Sequence, residues 1–489
     1  LRAMASDVDI KHLRRRATSG ARWTGTSTGL RIATQFVQLA ILARLLRVED
    51  FGLMAMVNVV MAFAQTFTDA GVSNAIIHYR DSSREELSSL YWLNVVAGAA
   101  VSLLAWISAP LFARIYHQPA LVDMVRVVSV VFVIGPMGQQ FQSLMERDLR
   151  FRRLAVIDTA AMLASALVGI FLALRGYGVW SLVWATVLLT AVKSALLATV
   201  GWSTWRPLLR FVPRECRRFV HFGLFQMGER TLSLIGQHLD KIVIGIIMGP
   251  GPLGYYELAY RLIARPYQII NPIFTRVAFP VFSAVQKDRD RLRKGYLELM
   301  EMLGSVTIPL YVGLFALAPA FIRVQLGPDY APTIPLLRIL CVVGLTWSLT
   351  SPAGSLLLAC GRADLGFYIN ALRTSLIFVG IWIGSRFGLE GIAWALVVVI
   401  TVVMFPTHVF LRRKLVGMTF AEFVGRLIPF LWPSLVAGAV CLVAHRLVPW
   451  PNAAVELVVM MGSAGVSYAG WLAWLERPRI TRMLAVIRS

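Results

Sequence analysis

The stretch from Phe225 to Ile247, FQMGERTLSLIGQHLDKIVIGII, is apolar enough to cross a bilayer, yet it carries Glu229, Arg230, Asp240 and Lys241. At helical spacing Gln226, Arg230, Ser233, Gln237 and Asp240 follow one another at intervals of 4, 3, 4 and 3 residues, which puts them in one polar stripe. Ionisable groups are costly at bilayer depth, so such a stripe faces a protein interior or a water-filled cavity instead of lipid. Its chemistry is the solvation of a polar or charged cargo. The helix is expected to line the path of a transporter.

The rest of the chain supplies the elements that would position it. Of 489 residues, 57% are hydrophobic and only 15% charged, and the mean hydropathy is +0.67, which sets the chain apart from soluble domains. A net charge of +22 could point to nucleic acid, but the basic residues fall between apolar runs and not on one compact face. No nucleic-acid partner is expected. Cys216, Cys341, Cys360 and Cys441 lack the spacing of a metal site or a disulfide framework, and His78, His221, His238, His408 and His445 are scattered. No metal and no cofactor is expected.

A spanning helix needs roughly 20 mainly apolar residues, and on that template about 14 segments qualify. The first covers 20–45, the second 52–77, the seventh 219–248, the eighth 253–283, the eleventh and twelfth 364–386 and 389–411, and the last two 426–447 and 453–475. Pro266, Pro272 and Pro280 in the eighth and Pro309 in the ninth are expected to kink their helices. With the N-terminus in the cytoplasm, about 30 Lys and Arg fall in inside segments and about 7 outside, so both termini are expected to be cytoplasmic. The expected division is a basic N-terminus over 1–19, an N-lobe of six helices over 20–203, a linker over 204–218, a C-lobe over 219–411, helices 13 and 14 within 426–475, and a tail over 476–489.

The polar N-terminus and the lack of a small-residue cleavage site after the first apolar run argue against a removed signal peptide. No connection is long enough for a nucleotide-binding domain and no GxxxxGK[ST] motif occurs, so ATP is not the expected direct energy source.

The chain also repeats itself. A shift of 202 residues (241 − 39) places LAILARLLRVEDFG at 39–52 on KIVIGIIMGPGPLG at 241–254. Under that shift Thr24, Thr28, Arg31, Gln35 and Gln38 fall on Gln226, Arg230, Ser233, Gln237 and Asp240. Two halves of six helices with the same membrane orientation imply a pseudo-two-fold axis along the membrane normal and a site between them. The eighth helix adds Glu257, Arg261, Gln268, Asn271 and Thr275 on one face, with Arg265 beside it, and the second offers Asn58, Gln65 and Asp69.

Four segments in order, RLLRVEDFGLMAMVNVVMAFAQTFTDAGVSNAIIH (44–78), LMERDLRFRRLA (144–155), LDKIVIGIIMGPGPLGYYELAYRL (239–262) and FPVFSAVQKDRDRLRKGY (279–296), resemble Wzx-type flippases, the polysaccharide-transporter branch of the multidrug/oligosaccharidyl-lipid/polysaccharide superfamily. The resemblance spans roughly residues 15–415. It implies an all-α polytopic membrane protein, with two six-helix bundles around a V-shaped central cavity and two peripheral C-terminal helices. It implies alternating-access movement of undecaprenyl-pyrophosphate-linked oligosaccharide across the bacterial inner membrane for O-antigen, capsule or exopolysaccharide synthesis. Membrane lipids and other polysaccharide-assembly proteins are the remaining expected partners.

Such a headgroup needs a hydrated cationic slot, for which Arg31, Arg230, Lys241, Arg261 and Arg265 are candidates, arginine being suited to bidentate phosphate contacts. Thr28, Gln35, Gln237 and Asn271 are candidates for sugar contacts. The bland reading of Arg230, Arg261 and Arg265 is internal ion pairing with Glu229, Glu257 or Asp240, and of Asp240 and Lys241 that they reach interfacial water. A desolvated carboxylate can exchange a proton, so Glu229, Asp240 and Glu257 are also candidates for coupling to H+ or Na+. Two alternatives remain: a drug or small-molecule antiporter of the same superfamily, which typically has twelve helices, and a membrane-embedded polymerase or ligase. The enzyme should show a sizeable outer loop with convergent acid, base or nucleophile, and the outer loops here are short.

Overall fold

The computed structural model describes residues 29–69, 83–212, 234, 236–448, 450 and 452–475. Among them the regular structure is helical throughout. Thr28, Glu229 and Arg230 lie outside the described residues, as do 213–218 of the expected linker.

Two compact units make up the chain, Leu1–Gly251 and Pro252–Ser489. The first contains α1 (29–45), α2 (Val48–Asp69), α3 (Arg84–Ile115), α4 (Leu121–Ser129), α5 (Val131–Arg147), α6 (Phe151–Leu174), α7 (Trp180–Gly201) and α8 (236–248). α9 (Pro250–Val285) begins on the last residues of that unit and runs into the second. There follow α10 (Arg289–Ala316), α11 (Ala318–Gln325), α12 (Thr333–Thr350), α13 (Pro352–Ala359), α14 (Ala363–Gly384), α15 (Gly388–Val397), α16 (Phe405–Val416), α17 (Phe420–Leu447) and α18 (Ala453–Leu475). A π-helical stretch, Val398–Met404, joins α15 to α16.

Eleven helical stretches among the described residues are long and apolar enough to cross a membrane. The expected segments 364–386 and 389–411 correspond to α14 and to the run from α15 through the π-helical stretch into α16, with a 3-10 turn at Ser385–Phe387 and Gly388 at φ +76 between them. The second expected helix starts at Val48 and not at 52, because the Asp50 carboxylate accepts the Arg47 amide at 3.0 Å and fixes the first turn there. α9 is helical over 36 residues through Pro266, Pro272 and Pro280.

Local chemistry sets the other boundaries. α3 opens with a capping box, in which Ser83 Oγ accepts the Glu86 amide and Glu86 Oε2 accepts the Ser83 amide. Thr419 and Glu422 do the same for α17, and Asp288 caps α10. Gly249, at φ +80, makes the left-handed turn between α8 and α9.

The packing suits lipid. α3 turns Leu103, Leu104, Ile107 and Leu111 outward, each more than half exposed, whereas helices meet through small residues that let backbones approach. A Cβ on Gly138 of α5 would stand 2.6 Å from Ser194 Cα of α7, and one on Gly304 of α10 would stand 2.6 Å from Leu427 Cδ2 of α17. The repeat seen in sequence has a structural counterpart, since α2 starts at 48 and α9 at 250, again 202 residues apart (250 − 48).

Candidate functional site

The first unit holds a half-open cavity of about 640 Å³ between α2, α3, α5, α7 and the start of α8. Its size lies within the range of small-molecule sites. Five carboxamides line it: Gln65 of α2, Asn94 of α3, Gln139 and Gln142 of α5, and Gln237 of α8.

Lys193 of α7 is the cation at the wall, and its ammonium lies 2.9 Å from Asp158 Oδ1 of α6. The threonine hydroxyls are committed, Thr66 donating to the Ala62 carbonyl, Thr68 to that of Ala64 and Thr190 to that of Thr186. Gln142 donates to Glu146 at 2.8 Å. Asn94 differs from these. It is 3% exposed, and its Oδ1 is buried without a hydrogen-bond partner among the described residues. A buried carbonyl of this kind is costly unless something donates to it, and a hydroxyl-bearing ligand in the cavity fits that requirement. Among the described residues the wall offers many neutral hydrogen-bonding groups and a single cation, which is paired. That arrangement suits polyhydroxylated cargo better than a bare phosphate.

The predicted residues fall in several places. Gln237 lines this cavity. Asp240 and Lys241, one turn further along α8, are only 5% and 8% exposed, so they do not reach interfacial water. Asp240 Oδ1 accepts the Lys241 backbone amide at 2.8 Å. Arg31 is exposed on α1 and Gln35 half-buried four residues later on the same helix.

In the second unit, Arg261 Nε donates to Glu257 Oε1 at 2.7 Å, one turn apart on α9. The ion pair weighed as the bland reading is therefore present, with the Glu257 side chain 6% and that of Arg261 32% exposed. Arg265 is half-buried on the next turn. Asn271 is buried and donates from Nδ2 to the Ser348 carbonyl at 3.2 Å, a tie between α9 and α12.

Asn94, Gln139, Gln142 and Lys193 were not predicted. A signal existed: Lys193 is the lone ionisable residue inside the apolar run of α7, which makes it a functional candidate by default. The Gln-rich GQQFQ at 138–142 is equally conspicuous in an apolar helix.

The fold resembles the lipid II flippase MurJ in its inward closed conformation, with a TM-score of 0.77 at 15% identity, covering 95% of this chain and 100% of that one. An inward-facing multidrug resistance MATE transporter of the MOP superfamily matches at a TM-score of 0.57 and 15% identity, over 84% and 95% of the two chains. At those identities the likeness is one of fold. A family profile described as "Polysaccharide biosynthesis protein" matches residues 41–335. The chain belongs to that family. The match takes in all four segments that carried the resemblance to Wzx-type flippases, and that resemblance is borne out.

Members of the family with names in keeping include the lipopolysaccharide biosynthesis protein WzxC of Escherichia coli (strain K12), 31% identical over 87% of each chain. The teichuronic acid biosynthesis protein TuaB of Bacillus subtilis (strain 168) is 33% identical over 87% of this chain and 88% of its own. The succinoglycan biosynthesis transport protein ExoT of Rhizobium meliloti (strain 1021) is 24% identical over 96% of each.

Proposed function

We propose that this protein flips lipid-linked oligosaccharide repeat units, carried on undecaprenyl pyrophosphate, across the bacterial inner membrane by alternating access, for synthesis of a surface or exported polysaccharide. The observation that carries the proposal is the carboxamide-lined cavity of about 640 Å³ with the unpaired Asn94 carbonyl. Sugars present hydroxyls in many orientations, and side-chain amides match them as both donors and acceptors. Relatives named for lipopolysaccharide, teichuronic acid and succinoglycan, and a fold shared with a lipid II flippase, support the same cargo class.

In this reading the cavity takes sugar, and Gln35, Gln237, Asn271 and Thr28 add contacts along the path. Arg31, Arg230, Lys241, Arg261 and Arg265 form the cationic slot for pyrophosphate. The protein is a transporter and not an enzyme, with both termini in the cytoplasm. Glu229, Asp240 and Glu257 couple the cycle to H+ or Na+. The buried Glu257–Arg261 pair suits such a role, because exchange of its partner would change the charge of the path.

A deletion strain tests the proposal. Lipid-linked repeat units should accumulate on the cytoplasmic leaflet, and their normal presentation on the outer leaflet would refute it. The same strain reports the sugar composition of the cargo.

A further inference from the structure

Arg412 of α16 is 1% exposed, and none of its three guanidinium nitrogens has a hydrogen-bond partner among the described residues. It lies two residues beyond the apolar stretch that ends at Phe410 and one turn before the end of α16 at Val416, so it belongs at headgroup depth and not in the hydrocarbon. Its guanidinium carbon sits 5.3 Å from the ring centroid of Tyr296 on α10 and 5.1 Å from that of Phe423 on α17. Ring faces attract the cation but accept none of its five N–H groups in hydrogen bonds of ordinary strength.

The surroundings deepen the deficit. Tyr296 is fully buried and its hydroxyl is also without a partner, as is Nδ1 of His408, one helical turn before Arg412. Two carboxylates of the flanking helices are taken, Glu301 by Arg426 at 2.6 Å and Glu422 by Arg293, and Glu298 of α10 is exposed. Burial draws the Arg412 guanidinium below its ordinary value, the Tyr296 hydroxyl partly opposing this. Arginine nevertheless holds its proton in proteins, so the charge stays and calls for a counter-anion.

Three orphaned groups at the joint of α10, α16 and α17 thus share one need. Arg412 supplies a fork of donors, Tyr296 a hydroxyl, and His408 a ring nitrogen that donates in the appropriate tautomer. We infer that Arg412, Tyr296 and His408 form a phosphate-binding site inside the second unit, which takes the phosphate of an anionic membrane lipid. Guanidinium forks match phosphate oxygens bidentately, and the depth of Arg412 is that of lipid phosphates. Free phosphate has the same chemistry and is distinguished in the test. Occupancy would clamp the ends of α10, α16 and α17 together, next to the π-helical stretch that precedes α16.

The experiment uses the full purified chain in nanodiscs of phosphatidylcholine, with and without phosphatidylglycerol, at constant ionic strength. Phosphatidylglycerol should raise the midpoint of thermal unfolding by about 2–4 °C, the scale set by ligand linkage. Arg412→Met should lose that rise, and Arg413→Gln, which removes one exposed charge from the same helix, should keep it. If inorganic phosphate in pure phosphatidylcholine gives the rise and phosphatidylglycerol adds nothing, the site is confirmed and its source is solution phosphate. No rise with either probe, or an equal rise in Arg412→Met, overturns the inference. Should Arg412→Met not fold, Tyr296→Phe keeps the ring and removes only the hydroxyl. It should weaken the apparent affinity for the effective probe about tenfold, and an unchanged affinity overturns the inference equally.

Discussion

Gly52 of α2 lies against Pro250 so closely that a Cβ at residue 52 would stand 1.8 Å from the Pro250 carbonyl oxygen and 2.6 Å from its carbonyl carbon. The obstacle is backbone at the start of α9, which cannot rotate aside as a side chain would. Gly52→Ala should therefore destabilise the protein by about 3 kcal/mol, the upper end of ordinary overpacking. Gly251→Ala is the companion change, because its Cβ would meet only the Glu49 side chain at 3.6 Å. It should be neutral or stabilising by about 0.5–1 kcal/mol through helix propensity. Thermal unfolding of the two variants checks the contrast.

Among the described residues Lys193 brings the one charge in the wall of the first unit's cavity, held by Asp158 at 2.9 Å. Both side chains are partly exposed, at 33% and 46%, so the pair itself contributes little to stability. Lys193→Met should leave folded yield unchanged while weakening cargo binding roughly 10-fold or more, the value of a hydrogen bond from a charged group. Polymer export measured alongside membrane-inserted protein separates the two effects. Asn94→Leu should lower export similarly and raise stability slightly, since it removes a buried carbonyl without a partner.

The Glu257–Arg261 pair makes a different prediction. Arg261→Ala abandons a buried carboxylate, so it should cost about 1–3 kcal/mol after discounting for the exposed arginine, and export should fall. Glu257→Gln in the Arg261→Ala background should restore stability. If export returns with it, the arginine only holds the glutamate. If export stays low, Arg261 contacts the cargo or the coupling ion, and a double-mutant cycle read by both assays decides.

Tyr116, in the turn between α3 and α4 outside the spanning segments, is 4% exposed, and burial pushes its hydroxyl up to about 12. Its folded value stands above the unfolded value near 10, so its contribution is full below pH 10 and is lost as pH rises towards 12. The loss amounts to about 2–3 kcal/mol across that window. Tyr116→Phe should flatten the alkaline limb of the stability profile, measured by thermal unfolding at pH 9, 10 and 11.

Much of the fold was legible in the sequence because bilayer physics is local. Each apolar run must satisfy its own backbone hydrogen bonds, so span length alone announces a helix. Ser83 with Glu86 and Thr419 with Glu422 likewise announce their helix starts within four residues. The 202-residue repeat could be read as well, and the starts of α2 and α9 keep that spacing.

The sequence by itself thus determined the helical, polytopic character of the chain and its family, since both rest on patterns along one strand of text. Only the tertiary structure decided which polar residues meet. Asn94, Gln142, Lys193 and Gln237 come from four helices and share one cavity, whereas Arg261 is engaged by Glu257 one turn away. It also decided that Arg412, the first of three consecutive basic residues, is buried between two aromatic rings. The physical reason is rotation about the helix axis: spacing fixes which residues of one helix share a face, but packing between helices fixes what that face meets.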